Sequence, residues 1–339
     1  MYYKKTFPYK LLLKVYLSVR DAHRLWTNKK YNSAVSDLLA SGLVEDKIKK
    51  LETCIINDCT VTYYVIRREN NMIGLLTYVS IFLGHIAYAL EQGFVPVIDM
   101  KNFKSIYLKN DEVGKINAWE LYFQQPCNIN LEDIEGQKII YSPKYTNPQS
   151  PFISSLTDEN EMFFWKILSE KYIRFNERTQ KYYDSEFDRL LRDKKVLGLL
   201  YRGTDYLTLK PKKHPIQPTV KYFLEQIDSC LEIWGDFDVF YLATDDEKVM
   251  KILNTKYPDK IVVNQRTYYD NFKNIEYLAQ ASFDRKNDNY LKGLEYLSSI
   301  KLLSNAHSII AGMCAGAYAA NFLKPTKFAN SYFFNLGEY

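Results

Sequence analysis

The sequence predicts an α/β protein built from two Rossmann-like domains that face each other across a cleft. Three features lead there: a strand, turn, helix, strand unit starting near residue 60, a longer strand–helix alternation starting near residue 195, and a charged helical stretch between them. The length of 339 residues suits two domains, taking ~100–200 residues for each. A content of 47% hydrophobic and 25% charged residues, with few Gly and Pro, is that of a chain that buries large cores. Disordered, fibrous and membrane-spanning classes are set aside on the same ground.

Residues 1–59 read as a helical segment. In the first thirty residues Lys4, Lys5, Lys10, Lys14, Arg20, Arg24, Lys29 and Lys30 stand against Asp21 alone, with Leu11, Leu12, Leu13, Val15, Tyr16 and Leu17 between them. That pattern fits a basic amphipathic helix on a membrane surface, and equally a helix packed on its own domain with a solvated basic face. Tyr31 to Leu51 carries Val35, Leu38, Leu39 and Leu43 at helical spacing.

Residues 60–190 form the first expected domain. Thr60 to Ile66 is rich in β-branched and aromatic residues and predicts a strand; Leu75 to Gln92 predicts a helix that Gly93 ends; Phe94 to Asp99 predicts a second strand. A βαβ unit requires a parallel sheet with a right-handed crossover. Glu159 to Arg192 is expected to be helical and to bridge the lobes.

Residues 191–339 form the second. Strands are expected at Lys195–Tyr201, Asp238–Ala243, Lys260–Val263 and Ser308–Ala311, with helices at Pro218–Trp234, Lys248–Tyr257, Tyr290–Asn305 and Gly316–Leu323. Ligands of open parallel sheets bind beyond the C-terminal strand ends. Those ends carry Arg202, Gly203, Thr204 and Asp205, then Thr244, Asp245 and Asp246, then Gly312 to Gly316. A guanidinium grips a diphosphate with two N–H groups, glycine admits close backbone approach, carboxylates accept from ribose or base, and a helix N-terminus favours an anion. Each residue alone also has a structural role open to it: Arg202 and Asp205 as a loop-closing ion pair, Asp245 or Asp246 as a helix cap, the glycines as packing residues. Their joint placement at neighbouring strand ends favours a nucleotide diphosphate site.

The segments Tyr201-Arg202-Gly203-Thr204-Asp205, His214-Pro215-Ile216-Gln217-Pro218 and Tyr241-Leu242-Ala243-Thr244-Asp245-Asp246 resemble the GDP-fucose-dependent transferases, the α-1,6- and protein O-fucosyltransferases. The likeness covers about residues 195–325 and implies the GT-B arrangement of glycosyltransferases. It implies that Arg202 contacts the β-phosphate, that Asp205 is the motif acid, that Thr244, Asp245 and Asp246 hold the donor, and that the donor-binding turn falls near Cys314, Ala315 and Gly316. The chain departs from the pattern where the motif His is Leu200, a second Arg is Gly203, serines are Cys314 and Ala315, and a Glu base is Lys210. Ser299 in the helix before the last strand and Gly74 in the first turn complete the expected donor set. Gly74 and the segment Asn117 to Phe123 resemble bacterial surface-polysaccharide glycosyltransferases.

The expected activity is inverting, metal-independent transfer of a sugar, fucose from GDP-fucose on the resemblance, to a glycan or lipid-linked glycan acceptor. The alternatives are another nucleotide sugar and a non-catalytic nucleotide-sugar-binding protein. No separate cofactor is expected. Arg202, with Lys210, Lys212 or Lys213, suits the departing diphosphate, and no isolated Asp-x-Asp suggests a metal. Asp99 at a strand tip, His214 beside the Arg202 loop and His85 are the candidate bases, His85 reading more readily as a core residue. Nucleic acid is not an expected partner, since no recognised nucleic-acid module is present. Five scattered cysteines read as reduced thiols, and no apolar run suits a leader or a membrane span, so a cytoplasmic place is expected, with peripheral contact at the inner leaflet through residues 1–30.

Overall fold

The computed structural model describes residues 28–57, 59–69, 73–203, 209–210, 212, 214–268 and 281–339. Its first element, α1, spans 28–41 and is followed by α2, Val44–Ile56. One helix was expected over 31–51, but Gly42 at φ +67° ends α1. A glycine takes that left-handed conformation without steric cost, and Ser41 closes the break by donating to Leu38 O at 2.8 Å and accepting from Leu43 N at 3.2 Å.

β1 (Tyr63–Arg67), α3 (Leu75–Glu91) and β2 (Val95–Asp99) form the expected parallel βαβ unit, with Tyr63 opposite Val95 and Arg67 opposite Asp99. A third strand, β3 (Ile139–Tyr141), pairs with the other side of β1 and gives the sheet order β2-β1-β3. The bridge is two helices, α4 (Glu159–Tyr172) and α5 (Glu177–Leu190). Asp158 caps the first through Asn160 N and Glu161 N, and Asn176 caps the second through Thr179 N, each satisfying N–H groups that a helix start leaves over.

The second lobe runs β4 (Val196–Tyr201), α6 (Val220–Trp234), β5 (Val239–Thr244), α7 (Glu247–Lys256), β6 (Ile261–Val262), α8 (Asp288–Leu303), β7 (Ser308–Gly312), α9 (Ala315–Phe322) and β8 (Asn330–Phe334). All five strands are parallel, in the order β6-β5-β4-β7-β8. Period-two alternation sorts β4: Leu197, Leu199 and Tyr201 pack with Phe223 and Ile227 of α6, while Val196 and Leu200 join the core on the α8 side. Gly198 lets α8 close on the sheet, since a Cβ there would fall 2.7 Å from Leu303 Cδ1.

One hydrophobic core continues from α1 through α3 and into α8 and α9. The joint is built around Tyr122, whose ring stacks on Tyr290 at 5.4 Å and whose hydroxyl donates to Tyr290 O at 2.9 Å. Asn289 at the start of α8 donates to Ile106 O, on the segment leaving β2, at 2.8 Å. This bond ties the N-terminus of α8 to the segment that follows β2. Among the described residues no helix is long and apolar enough to cross a membrane.

Candidate functional site

The parallel register brings the ends of β4, β5 and β7 level, with Tyr201 opposite Thr244 and Leu200 opposite Ala311. Arg202, Asp245 and the Gly312 turn therefore leave the sheet side by side. Arg202 Nη1 forms an ion pair with Asp245, and Gly203 N donates to the other Asp245 oxygen at 3.1 Å. The Asp245 side chain is only 3% exposed, so these contacts help to hold its charge, and the ion pair in turn orients the guanidinium at the rim.

The neighbouring residues have local tasks. Thr244 Oγ1 accepts from Asp246 N at 3.2 Å, and Asp246 caps α7 by accepting from Lys248 N and Val249 N. Gly203 is required sterically, because a Cβ would lie 2.9 Å from both Asp246 Oδ2 and the Tyr201 ring. Across from them Cys314 is the N-cap of α9 and offers no side-chain capping bond to the first turn at Ala315 and Gly316. Burial pushes the Cys314 thiol up, against the pull of the Ala317 N–H and the Arg202 charge; it sits there as a neutral group. Gly316 faces Ile300 Cδ1, which a Cβ would meet at 3.0 Å.

Several expected site residues stand elsewhere. Ser299 is not at the rim: it is buried in α8 beneath the sheet and takes a hydrogen bond from Tyr241 Oη at 3.4 Å. Gly74 is the N-cap of α3 with an ordinary φ of −71°, and a Cβ there would meet nothing. His214 is exposed, its Nδ1 lies 3.2 Å from Lys212 O, and its own carbonyl accepts from Tyr339 N. Asp99 closes the turn after β2, its two oxygens accepting from Lys101 N, Asn102 N and Asn102 Nδ2, each at 3.0 Å. It lines a cavity of about 360 Å³ with Lys101, Glu132 and Tyr141 in the first lobe. His85 is a core residue, fully buried between Tyr64 Oη and Thr146 O, and burial pulls its pKa down to about 3. Asp205 lies outside the described residues.

One residue at the rim was expected only as part of the resembling segment His214 to Pro218, with no role of its own. Gln217 reaches from the loop before α6 to the turn after β7, where its Nε2 donates to Met313 O at 2.7 Å. A glutamine between two prolines reads as an exposed loop residue, so only the fold reveals it. Among the described residues no group of three or more His, Cys, Asp or Glu side chains is placed to hold a metal ion.

No family model matches the chain, and no curated protein does. Among solved structures, the apo form of POFUT1 is similar in fold: TM-score 0.50 at 11% identity, over 81% of this chain and 98% of that one. The NodZ alpha-1,6-fucosyltransferase soaked with GDP-fucose aligns at TM-score 0.49 and 14% identity, over 78% of this chain and 93% of that one. Fucosyltransferase NodZ from Bradyrhizobium gives the same score and identity, with 95% of its own chain covered. At these identities the likeness is one of fold.

Proposed function

We propose that this chain is a glycosyltransferase using a nucleotide sugar, with GDP-fucose the favoured donor. The transfer proceeds with inversion and without a metal, onto a glycan or lipid-linked glycan of a surface polysaccharide. The observation that supports this reading is the rim itself: a guanidinium fixed by a buried carboxylate, beside a glycine backbone and an uncapped helix N-terminus. Such a set stabilises the negative charge that grows on a departing diphosphate. POFUT1, whose fold is similar, has been crystallised in complex with GDP and with GDP-fucose.

The test is a thermal-shift and transfer panel of GDP-, UDP-, ADP- and CDP-sugars. A ligand at 100 times its Kd adds about 2.7 kcal/mol to the native state. GDP and GDP-fucose are expected to give the largest shifts, unchanged by EDTA, and a larger shift with UDP or loss of the GDP shift in EDTA refutes the donor or the metal-free assignment respectively. A second reading, a binding protein without turnover, is favoured by Asp99, whose carboxylate closes its own turn. Formation of a fucosylated product removes it. The basic stretch over residues 1–30 holds the enzyme on the cytoplasmic leaflet, beside its acceptor.

A further inference from the structure

The turn between β7 and α9 holds an acceptor that no group among the described residues serves. Gln217 is 3% exposed, and its Nε2 donates to Met313 O at 2.7 Å and Pro215 O at 3.2 Å. Its Oε1 is buried with no hydrogen-bond partner. Flipping the amide does not cure this, since it would set Oε1 against two carbonyl oxygens; the unmet atom is the oxygen. It lies against Gly312, where an added Cβ would come within 2.2 Å of it. An unserved buried carbonyl costs about 1–3 kcal/mol, and such atoms in native proteins call for an explanation.

The surroundings limit what serves it. The first turn of α9, Ala315 and Gly316, begins two residues beyond Met313 and carries no side-chain cap, so it presents N–H groups to an anion. Arg202 and Asp245 stand at the neighbouring strand end. A diphosphate bound there is all acceptor and offers nothing to Gln217. A hydroxyl attached close to the diphosphate can supply the hydrogen. We propose that Gln217 Oε1 accepts a hydrogen bond from a hydroxyl of the nucleotide sugar, so that this turn distinguishes an esterified diphosphate from a bare one. The inference rests on the nucleotide-sugar reading above and gives that site its specificity contact.

Calorimetric titration of the full chain with inorganic diphosphate, 2′,3′-dideoxy-GDP, GDP and GDP-fucose tests it, in the wild type and in Gln217→Met. One neutral hydrogen bond gives about three- to tenfold in Kd. If the hydroxyl is on the ribose, GDP binds the wild type tighter than dideoxy-GDP by that factor, and the ratio falls to about one in Q217M. If it is on the transferred sugar, the GDP-fucose to GDP ratio is the one that changes between the two proteins. Inorganic diphosphate binds both equally. Gln217→Asn keeps an amide but draws it back by one methylene, so it should lose the discrimination in the same way, which also covers a Q217M chain that does not fold. Equal ratios in wild type and Q217M, or a loss in Q217M that includes inorganic diphosphate, overturns the proposal, because Gln217 then only holds the turn or meets a buried water. A wild type that binds no guanine nucleotide refutes instead the GDP reading on which the proposal stands.

Discussion

Arg202 was expected to grip the diphosphate, with an ion pair to Asp205 as its structural alternative, and the structure pairs it with Asp245. Its partner Asp245 is nearly inaccessible to water, so Arg202→Ala takes the guanidinium away from a buried carboxylate. Breaking a fully buried pair costs about 3–5 kcal/mol, and the partial exposure of Arg202 brings this to about 1–3 kcal/mol. Chemical denaturation of R202A should show that loss, and adding Asp245→Asn should recover part of it, since neutralising the remaining charge removes the penalty. Transfer should be lost in R202A and poorly restored in Arg202→Lys, because an ammonium does not replace a planar fork. His85 makes a separate expectation. Its folded pKa is depressed to about 3 by burial, while the unfolded imidazole titrates near its ordinary value of 6.5. Below the unfolded value only the unfolded chain takes the proton, so stability is complete above that pH and falls on acidification, by up to about 1.4 kcal/mol per pH unit. His85→Phe, whatever it does to stability at neutral pH, should flatten the dependence between pH 6 and 4; an unchanged slope would refute the assignment.

The regular elements were legible where burial imposed a period. β4, β5 and β7 are buried along their length and stood out as apolar runs, and the helices between them were placed within a few residues. β3 has three residues, mostly exposed, and β8 is a half-buried edge strand that runs straight on from a loop, so neither carries a hydrophobic signal. The site was legible in the same proportion. Residues at strand ends follow from the strands, which located Arg202, Asp245 and the α9 turn; which of two adjacent acids pairs and which caps depends on side-chain direction, and only the fold separates Asp245 from Asp246. Ser299 was misplaced because one turn along a helix decides between rim and core. The turn after β7 adds an expectation of its own. A Cβ at 312 would collide with Gln217, so Gly312→Ala should destabilise the protein by about 1–3 kcal/mol. Shortening the opposing side chain, in Gly312→Ala with Gln217→Ser, should cost less than the two changes summed. Denaturation curves of the three variants decide it.

The continuous core makes α1 part of the molecule, and the basic helix expected before it lies outside the described residues. Tyr31, Ala34, Val35 and Leu38 of α1 are buried in that core, and the Tyr31 ring lies 4.2 Å from that of Tyr88 in α3. On the surface-contact reading Lys4, Lys5, Lys10, Lys14, Arg20 and Arg24 act on the leaflet and not on this core. Removing residues 1–27 should therefore leave the melting temperature within a few degrees of the full chain, while removing residues 1–42 strips four buried side chains from the face of α3 and should lower it sharply, each large apolar side chain being worth about 1.5–3 kcal/mol. The same two truncations separate the roles of charge and packing in the proposed surface contact. Each basic residue near an anionic leaflet contributes about 1 kcal/mol, enough for reversible binding that salt screens within a Debye length of about 10 Å at 0.1 M. The full chain should co-sediment with phosphatidylserine-containing vesicles at low salt and release at high salt. The chain lacking residues 1–27 should stay in the supernatant at both, and should keep full transfer to a soluble acceptor analogue. Retained sedimentation of that truncated chain would place the membrane contact on the folded body, and loss of its fold would make the basic stretch part of the core.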